Sequence, residues 1–223
     1  MNKATLAVCR NIVETGRLLL QSKLVEGVWG NISARAGKKG LIAITPSGRG
    51  YATLCYKDIC VIDAEGKPQK NSLTPSSELP LHIAVYSARQ DVKAIIHTHS
   101  IYASAFAVAG QPILSVVEDM AQIVGGQVDV SEYALPGTAS LAANAVNALA
   151  GKNAVLLKNH GLVACGRNLT EALTVALIAE KTARIFLYAK QLNAGINGIT
   201  AEDIKILRDF YLDKYSRQQL VRD

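Results

Sequence analysis

The stretch Ser76–Ser100, SSELPLHIAVYSARQDVKAIIHTHS, decides how the rest of the chain is read. Val92 to Ile96 has the character of a buried strand and runs directly into His97-Thr98-His99. Side chains two apart on a strand point to the same face, whereas on a helix they lie about 200° apart. The two histidines can therefore grip one ion. Upstream, Leu81, Ala84, Val85 and Ala88 fall at i, i+3, i+4 and i+7, the spacing of one helical face. Ser76 and Ser77 suit an N-cap, and Pro80 suits a first turn, where backbone N–H groups have no helical acceptor. Glu78 then opens the helix. A helix joined to a strand by a short turn runs antiparallel to it, so a carboxylate at the helix start reaches the strand's far end, where His97 and His99 are. His82, one turn after Glu78, reads as a core or surface residue and not as a ligand.

A third histidine sits in NAVLLKNHGLVACG, residues 153–166. A strand over 154–157 runs into Lys158-Asn159-His160-Gly161, where Gly161 permits the positive φ of a tight turn. The chain has 4 histidines, and three of them have a reason to converge. Glu78, His97, His99 and His160 form a ligand set with the N/O character of a zinc-type site, in which availability also selects among divalent metals. Three imidazoles and one weaker carboxylate leave room for a substrate oxygen.

Upstream of this unit, residues 27–48 read as a hairpin: a strand from Asn31 to Arg35, a turn at Gly37-Lys38-Lys39-Gly40, and a strand from Leu41 to Thr45. Its ends carry Gly30-Asn31 and Thr45-Pro46-Ser47-Gly48. Glycines let a backbone approach an anion closely, and Ser and Asn supply donors. With Ser76-Ser77 at a helix start as a second donor cluster, these ends can cradle a phosphate.

The remaining chain reads as scaffold. A helix is expected over 4–24 and a strand over 59–63 with a turn at Ala64-Glu65-Gly66-Lys67. Ile101 to Ala109 is expected as a helix ended by Gly110, and residues 113–117 as a strand. A helical run then closes at Gly125-Gly126. Thr138 is expected to cap a helix to Ala150, strands at 154–157 and 162–165 to flank His160, and Thr170 to cap a long helix to Leu192. Thr200-Ala201-Glu202-Asp203 resembles a capping box before a last helix and a tail from Tyr211. Strands and helices mix without regular βαβ alternation, which points to a mixed, largely antiparallel sheet covered by helices in a single domain over residues 1–223.

Composition narrows the function classes. At 49% hydrophobic and 19% charged residues the chain is not disordered. No apolar run approaches the roughly 20 residues that span a bilayer. Arg10, Glu14 and Arg17 interrupt the N-terminal segment, which does not resemble a signal peptide, so a cytoplasmic protein is expected. Cys9, Cys55, Cys60 and Cys165 show no CxxC or disulfide-rich spacing and read as reduced thiols. The net charge of +6 is scattered without a basic run, which argues against nucleic acid and for a mild pull on anionic substrates.

Taken together, Gly30-Asn31-Ile32-Ser33, Thr45-Pro46-Ser47-Gly48, Ser76-Ser77-Glu78, His97-Thr98-His99 and Asn159-His160-Gly161 resemble, in order and spacing, the class II aldolase/adducin family. The pattern is nearest to its L-fuculose-1-phosphate aldolase members. The resemblance implies a three-layer α/β/α fold around a mostly antiparallel sheet, and a C4 homotetramer with a zinc site between subunits. It also implies a metal set of Glu78, His97, His99 and His160, and a phosphate cradle of Asn31, Ser47, Gly48, Ser76 and Ser77. The implied activity is cleavage of a ketose 1-phosphate to dihydroxyacetone phosphate and a short aldehyde, with Glu78 as general base and acid. Asp119 stands where the fuculose-phosphate aldolases carry a tyrosine, and Tyr215 is the nearest match to their C-terminal tyrosine. A carboxylate at 119 suits a different aldehyde, such as acetaldehyde from a 5-deoxypentulose 1-phosphate. Ser-Ser-Glu favours an aldolase over the Ser-Ser-Asp of the family's L-ribulose-5-phosphate 4-epimerases, whereas Asp119 blurs that distinction. Dehydratase and decarboxylase relatives and a non-catalytic adducin-like module are the further alternatives.

Overall fold

A computed structural model of the chain describes residues 2–37, 40–63, 66–69, 72–193 and 195–215, with residues 214 and 215 described by their backbone alone. The Ser76–Ser100 stretch folds as a helix, α2 (Leu79–Ala88), a short turn and a strand, β4 (Ala94–Thr98). The helix starts later than its serines suggest. Its N-cap is Glu78 itself, and the Ser76 hydroxyl accepts the Glu78 N–H from outside the helix at 3.3 Å. The buried face is also turned from the expected one. Leu81, His82, Val85 and Tyr86 point inward, whereas Ala84 is half-buried and Ala88 exposed.

β4 is central in a mixed sheet. The order is β3 (Cys60–Ile62), β2 (Ile42–Ile44), β1 (Asn31–Arg35), β4, β7 (Gly161–Gly166), β6 (Ala154–Leu157), β5 (Val130–Ser131), and every neighbouring pair is antiparallel except β5 with β6. The β1–β2 hairpin forms as expected, although Lys38 and Lys39 of its turn lie outside the described residues, as do Ala64 and Glu65 of the next one.

Alternate residues of the strands feed two cores. Ile96, Leu162 and Ala164 face one, which α1 (Lys3–Gln21), α3 (Ile101–Ala109), α4 (Glu118–Val124) and α6 (Leu169–Gln191) cover. Ile95, Val163 and Cys165 face the other, under α2 and α5 (Ala139–Leu149). A strand buried on both faces must read as a continuous apolar run, which is what Ala94-Ile95-Ile96 is. At roughly 1.5–3 kcal/mol for each large side chain taken fully out of water, these two layers hold the sheet, and with it the histidines, in place. The result is the expected three-layer α/β/α fold. No helix among the described residues is long and apolar enough to cross a membrane.

Three local expectations are corrected. Residues 113–117 form no strand, only an isolated bridge between Ile113 and Val128. The long helix is capped by Asn168, whose side chain accepts the Glu171 N–H, and not by Thr170. β5 was not anticipated, because two residues are too few to show alternation. α7 (Ala201–Phe210) begins at Thr200 as its capping pattern indicates, and a π-helical turn, Tyr211–Tyr215, follows it. All four cysteines are free thiols.

Candidate metal centre and phosphate pocket

Register does the first part of the assembly. β4 places His97 opposite Asn31 of β1 and Val163 of β7, and His99 follows one step past the strand's end. Backbones pack tightly here. A Cβ on Gly30 would come 2.6 Å from the His97 carbonyl oxygen, and one on Gly161 would come 2.3 Å from that of Thr98. The turn before β7 takes its positive φ at Asn159 (56°), not at Gly161. Gly161 is required because the HTH segment lies against it, with its Cβ position 3.3 Å from His97 Cε1 and 3.2 Å from His99 Cδ2.

The imidazoles of His97, His99 and His160 meet above this platform. His97 Nε2 is 2.9 Å from His99 Nε2 and 3.3 Å from His160 Nε2. His97 Nδ1 faces the Leu162 carbonyl at 3.0 Å, an acceptor only, so Nδ1 carries the proton and Nε2 turns a lone pair into the cluster. Burial, reinforced by the neighbouring imidazoles and only partly offset by Glu78, brings the His97 pKa down to about 3. Burial likewise lowers that of His99. Neutral imidazoles with converging lone pairs repel one another unless a cation lies between them.

Glu78 closes the group from the start of α2. Its Oε2 is 3.2 Å from His97 Nε2 and its Oε1 is 3.6 Å from His160 Nε2. Burial works against its charge, but the facing His97 and the Asn31 amide outweigh that and hold the carboxyl below its usual range. Glu78 Oε1 and His160 Nδ1 are buried without a hydrogen-bond partner. These residues fit a divalent metal. Nitrogens held tetrahedrally at zinc distances lie about 3.3 Å apart, close to the spacing seen here. The donor atoms of the three histidines all fall within 4.8 Å of one another.

Beside the cluster is a pocket of about 290 Å³ whose rim includes Asn31, Ser47, Gly48, Ser76 and Ser77. Two loops form that rim because they are tied together: the Ser47 N–H donates to the Thr74 carbonyl, the Ser76 N–H to the Thr45 carbonyl, and Pro46 bridges Pro75. All five expected cradle residues therefore share one cavity with Glu78, His99 and His160. The Asn31 side chain is already engaged, donating from Nδ2 to Glu78 Oε2 at 2.8 Å and meeting His82 through Oδ1.

Two expected site residues stand elsewhere. Asp119 lies in the first turn of α4, outside this pocket, and forms an ion pair with Lys181 of α6. Tyr215 ends the π-helical turn, and its side chain lies outside the described residues. One residue was missed. Trp29, 64% exposed, lies over His99 with ring centroids 6.0 Å apart and planes 24° from parallel, and it lines the pocket mouth. The signal for it was present: it is the only tryptophan, and it directly precedes Gly30-Asn31.

Residues 10–187 match the family described as the class II aldolase and adducin N-terminal domain. The chain is 36% identical over 181 residues to the 5-deoxy-D-ribulose 1-phosphate aldolase of Bacillus thuringiensis serovar kurstaki, covering 81% of this chain and 84% of that protein. It is 32% identical over 200 residues to the L-fuculose phosphate aldolase of Escherichia coli O6:H1, covering 90% and 92%. Among solved structures, an L-fuculose 1-phosphate aldolase superposes with a TM-score of 0.88 at 34% identity, over 92% of this chain and 96% of that one.

Proposed function

Since the chain belongs to the class II aldolase and adducin family, we propose that it is a zinc-dependent aldolase that cleaves a deoxyketose 1-phosphate to dihydroxyacetone phosphate and a short aldehyde. The observation that carries this reading is the meeting of Glu78 and the imidazoles of His97, His99 and His160 at the edge of the pocket rimmed by Ser47, Ser76 and Ser77. Relatives that act on 5-deoxy-D-ribulose 1-phosphate and on L-fuculose phosphate support the substrate class. Between them, the 5-deoxypentulose 1-phosphate is the better candidate, because Trp29 takes up space at the mouth.

A divalent metal held by His97, His99, His160 and Glu78 supplies Lewis acidity at the substrate carbonyl. The protein's own groups do the rest. The hydroxyls of Ser47, Ser76 and Ser77 and the backbone N–H groups of Gly48 and Ser77 hold the phosphate and so fix the carbonyl end. In cleavage the C3–C4 bond breaks with its electrons moving toward the carbonyl, the C4 hydroxyl gives up its proton as the aldehyde forms, and C3 takes a proton. Glu78, ionised at rest, takes up a proton from solvent and delivers it to C3 in cleavage, and removes it as a base in the reverse direction. The C4 hydroxyl proton is assigned to Asp119 and Tyr215 contributed by a neighbouring subunit of a C4 tetramer. Asp119 lies outside its own chain's pocket, and Tyr133 and Leu135 are more than half exposed, which supports a subunit seated there.

The test is a coupled assay for dihydroxyacetone phosphate on zinc-loaded protein, with 5-deoxyribulose 1-phosphate and L-fuculose 1-phosphate, and L-ribulose 5-phosphate followed for epimerisation. Release from the deoxypentulose phosphate that EDTA abolishes is expected. Epimerisation without release would move the function to the epimerase branch.

A further inference from the structure

One fully buried polar side chain near the site is neither a ligand nor part of the pocket wall. His82 is fully buried on α2, with Nδ1 2.6 Å from Ser33 Oγ and Nε2 2.5 Å from Asn31 Oδ1. Ser33 Oγ is in turn 2.8 Å from Tyr86 Oη. At the other end Asn31 Nδ2 donates to Glu78 Oε2. Five buried side chains, from β1 and from α2 with its N-cap, thus form one line from Tyr86 to Glu78.

The chemistry of each group fixes the direction of every bond in this chain. An ionised carboxylate only accepts, so Asn31 must present its NH₂ to Glu78 and its carbonyl to His82. That carbonyl only accepts, so His82 Nε2 carries a proton. Burial brings the imidazole pKa down to about 4, so the ring holds a single proton at neutral pH and Nδ1 is bare. Nδ1 therefore accepts the Ser33 O–H, and the Ser33 oxygen accepts the Tyr86 O–H. The far end is anchored by Arg35, whose Nη2 donates to the Tyr86 carbonyl at 2.7 Å while its guanidinium lies over the Tyr86 ring.

We propose that His82 is a positioning residue: by donating from Nε2 to Asn31 Oδ1 it locks the amide so that Asn31 ties down Glu78 Oε2 beside His97 Nε2 and leaves Oε1 turned toward His160. An amide flipped by 180° would set its oxygen against the carboxylate, and its NH₂ against a nitrogen that already bears a proton. The two carboxylate oxygens thereby acquire different surroundings, one hydrogen-bonded and one without a partner. From Tyr86 to Asn31 the network is satisfied at every member, and it holds one geometry because each alternative leaves a polar group unpaired. The consequence for turnover rests on the aldolase reading; the bond order does not.

Two experiments separate these parts. In metal-free protein, long-range ¹⁵N–¹H correlations should show His82 protonated at Nε2 and bare at Nδ1 at neutral pH; the opposite tautomer would overturn the proposal. In the loaded enzyme the pair His82→Gln and His82→Asn is informative, because Gln extends an amide N–H to about the Nε2 position and Asn only to the Nδ1 position. His82→Gln should keep kcat within about 3-fold, and His82→Asn should lose at least 10-fold, with equal metal content in both. Equal losses would mean that His82 only fills space, and would also overturn the proposal. If wild-type protein cleaves none of the sugar phosphates, the aldolase reading fails, and the tautomer alone decides whether the bond order stands.

Discussion

A methyl group on Gly161 would sit 2.3 Å from the Thr98 carbonyl oxygen, with the His97 and His99 rings behind it. Backbone cannot yield there as a flexible side chain would, so Gly161→Ala is expected to cost about 1–3 kcal/mol of stability and to spread the imidazoles. Metal content after dialysis and a thermal melt check this, and unchanged values in both would remove the platform role assigned to Gly161. Among the ligands, His97→Ala takes away the nitrogen nearest to both other histidines. It should strip the metal and abolish turnover, and a variant with full zinc and full activity would sink the ligand assignment. Glu78→Gln keeps an oxygen in the site while removing the base. It should retain much of the metal yet lose most of kcat, and an undiminished rate would take the proton-transfer role from Glu78.

Elements differ in how far the sequence revealed them. The α2–β4 unit was legible because three signals agree there: turn residues before Glu78, an apolar run in β4, and two histidines at the spacing of a strand. The phosphate loops were legible as donor clusters, although nothing local showed that Pro46 and Pro75 bridge them. The buried face of α2 was misjudged because His82 and Tyr86 look polar until Ser33 and Asn31, far away in sequence, satisfy them. α7 is the opposite case: none of its residues is fully buried, and of its apolar residues only Ile204 and Leu207 are half-buried. Arg208 adds a polar anchor. Its guanidinium donates to the carbonyls of Gln122 and Ile123, the free end of α4, and lies against Gly125. Arg208→Ala leaves those carbonyls unpaired and should cost about 1–3 kcal/mol, with faster proteolytic release of the C-terminal segment. Unchanged protease resistance would mean that Tyr211, which donates to Glu171 at 2.9 Å, holds α7 alone.

For the whole molecule, the site's chemistry and the fold's stability are opposed, because a metal centre needs neutral imidazoles in a buried place that resists their charging. His82 and His97 are both buried, with pKa values brought down to about 4 and about 3. An unfolded histidine titrates near 6.5, so below that pH the unfolded chain binds more protons than the folded one, and stability falls with pH. Each buried imidazole contributes about 1.4 kcal/mol per pH unit in that window, and the contribution is complete above pH 6.5. Glu78, held below its usual range, acts with the same sign but only at lower pH, below the ordinary carboxylate value. Metal-free protein should therefore be equally stable at pH 8 and pH 7, and should lose roughly 3 kcal/mol per unit between pH 6 and pH 5 from the two imidazoles together. Urea unfolding in EDTA at those four pH values measures this directly. His82→Gln, which cannot titrate, should show a slope shallower than the parent's by about 1.4 kcal/mol per pH unit between pH 6 and pH 5, while His97 and His99 still take up protons on unfolding. A parent protein with flat stability down to pH 5 would mean that these imidazoles are not held neutral by burial, and the lone-pair cluster inferred for the metal would lose its physical basis.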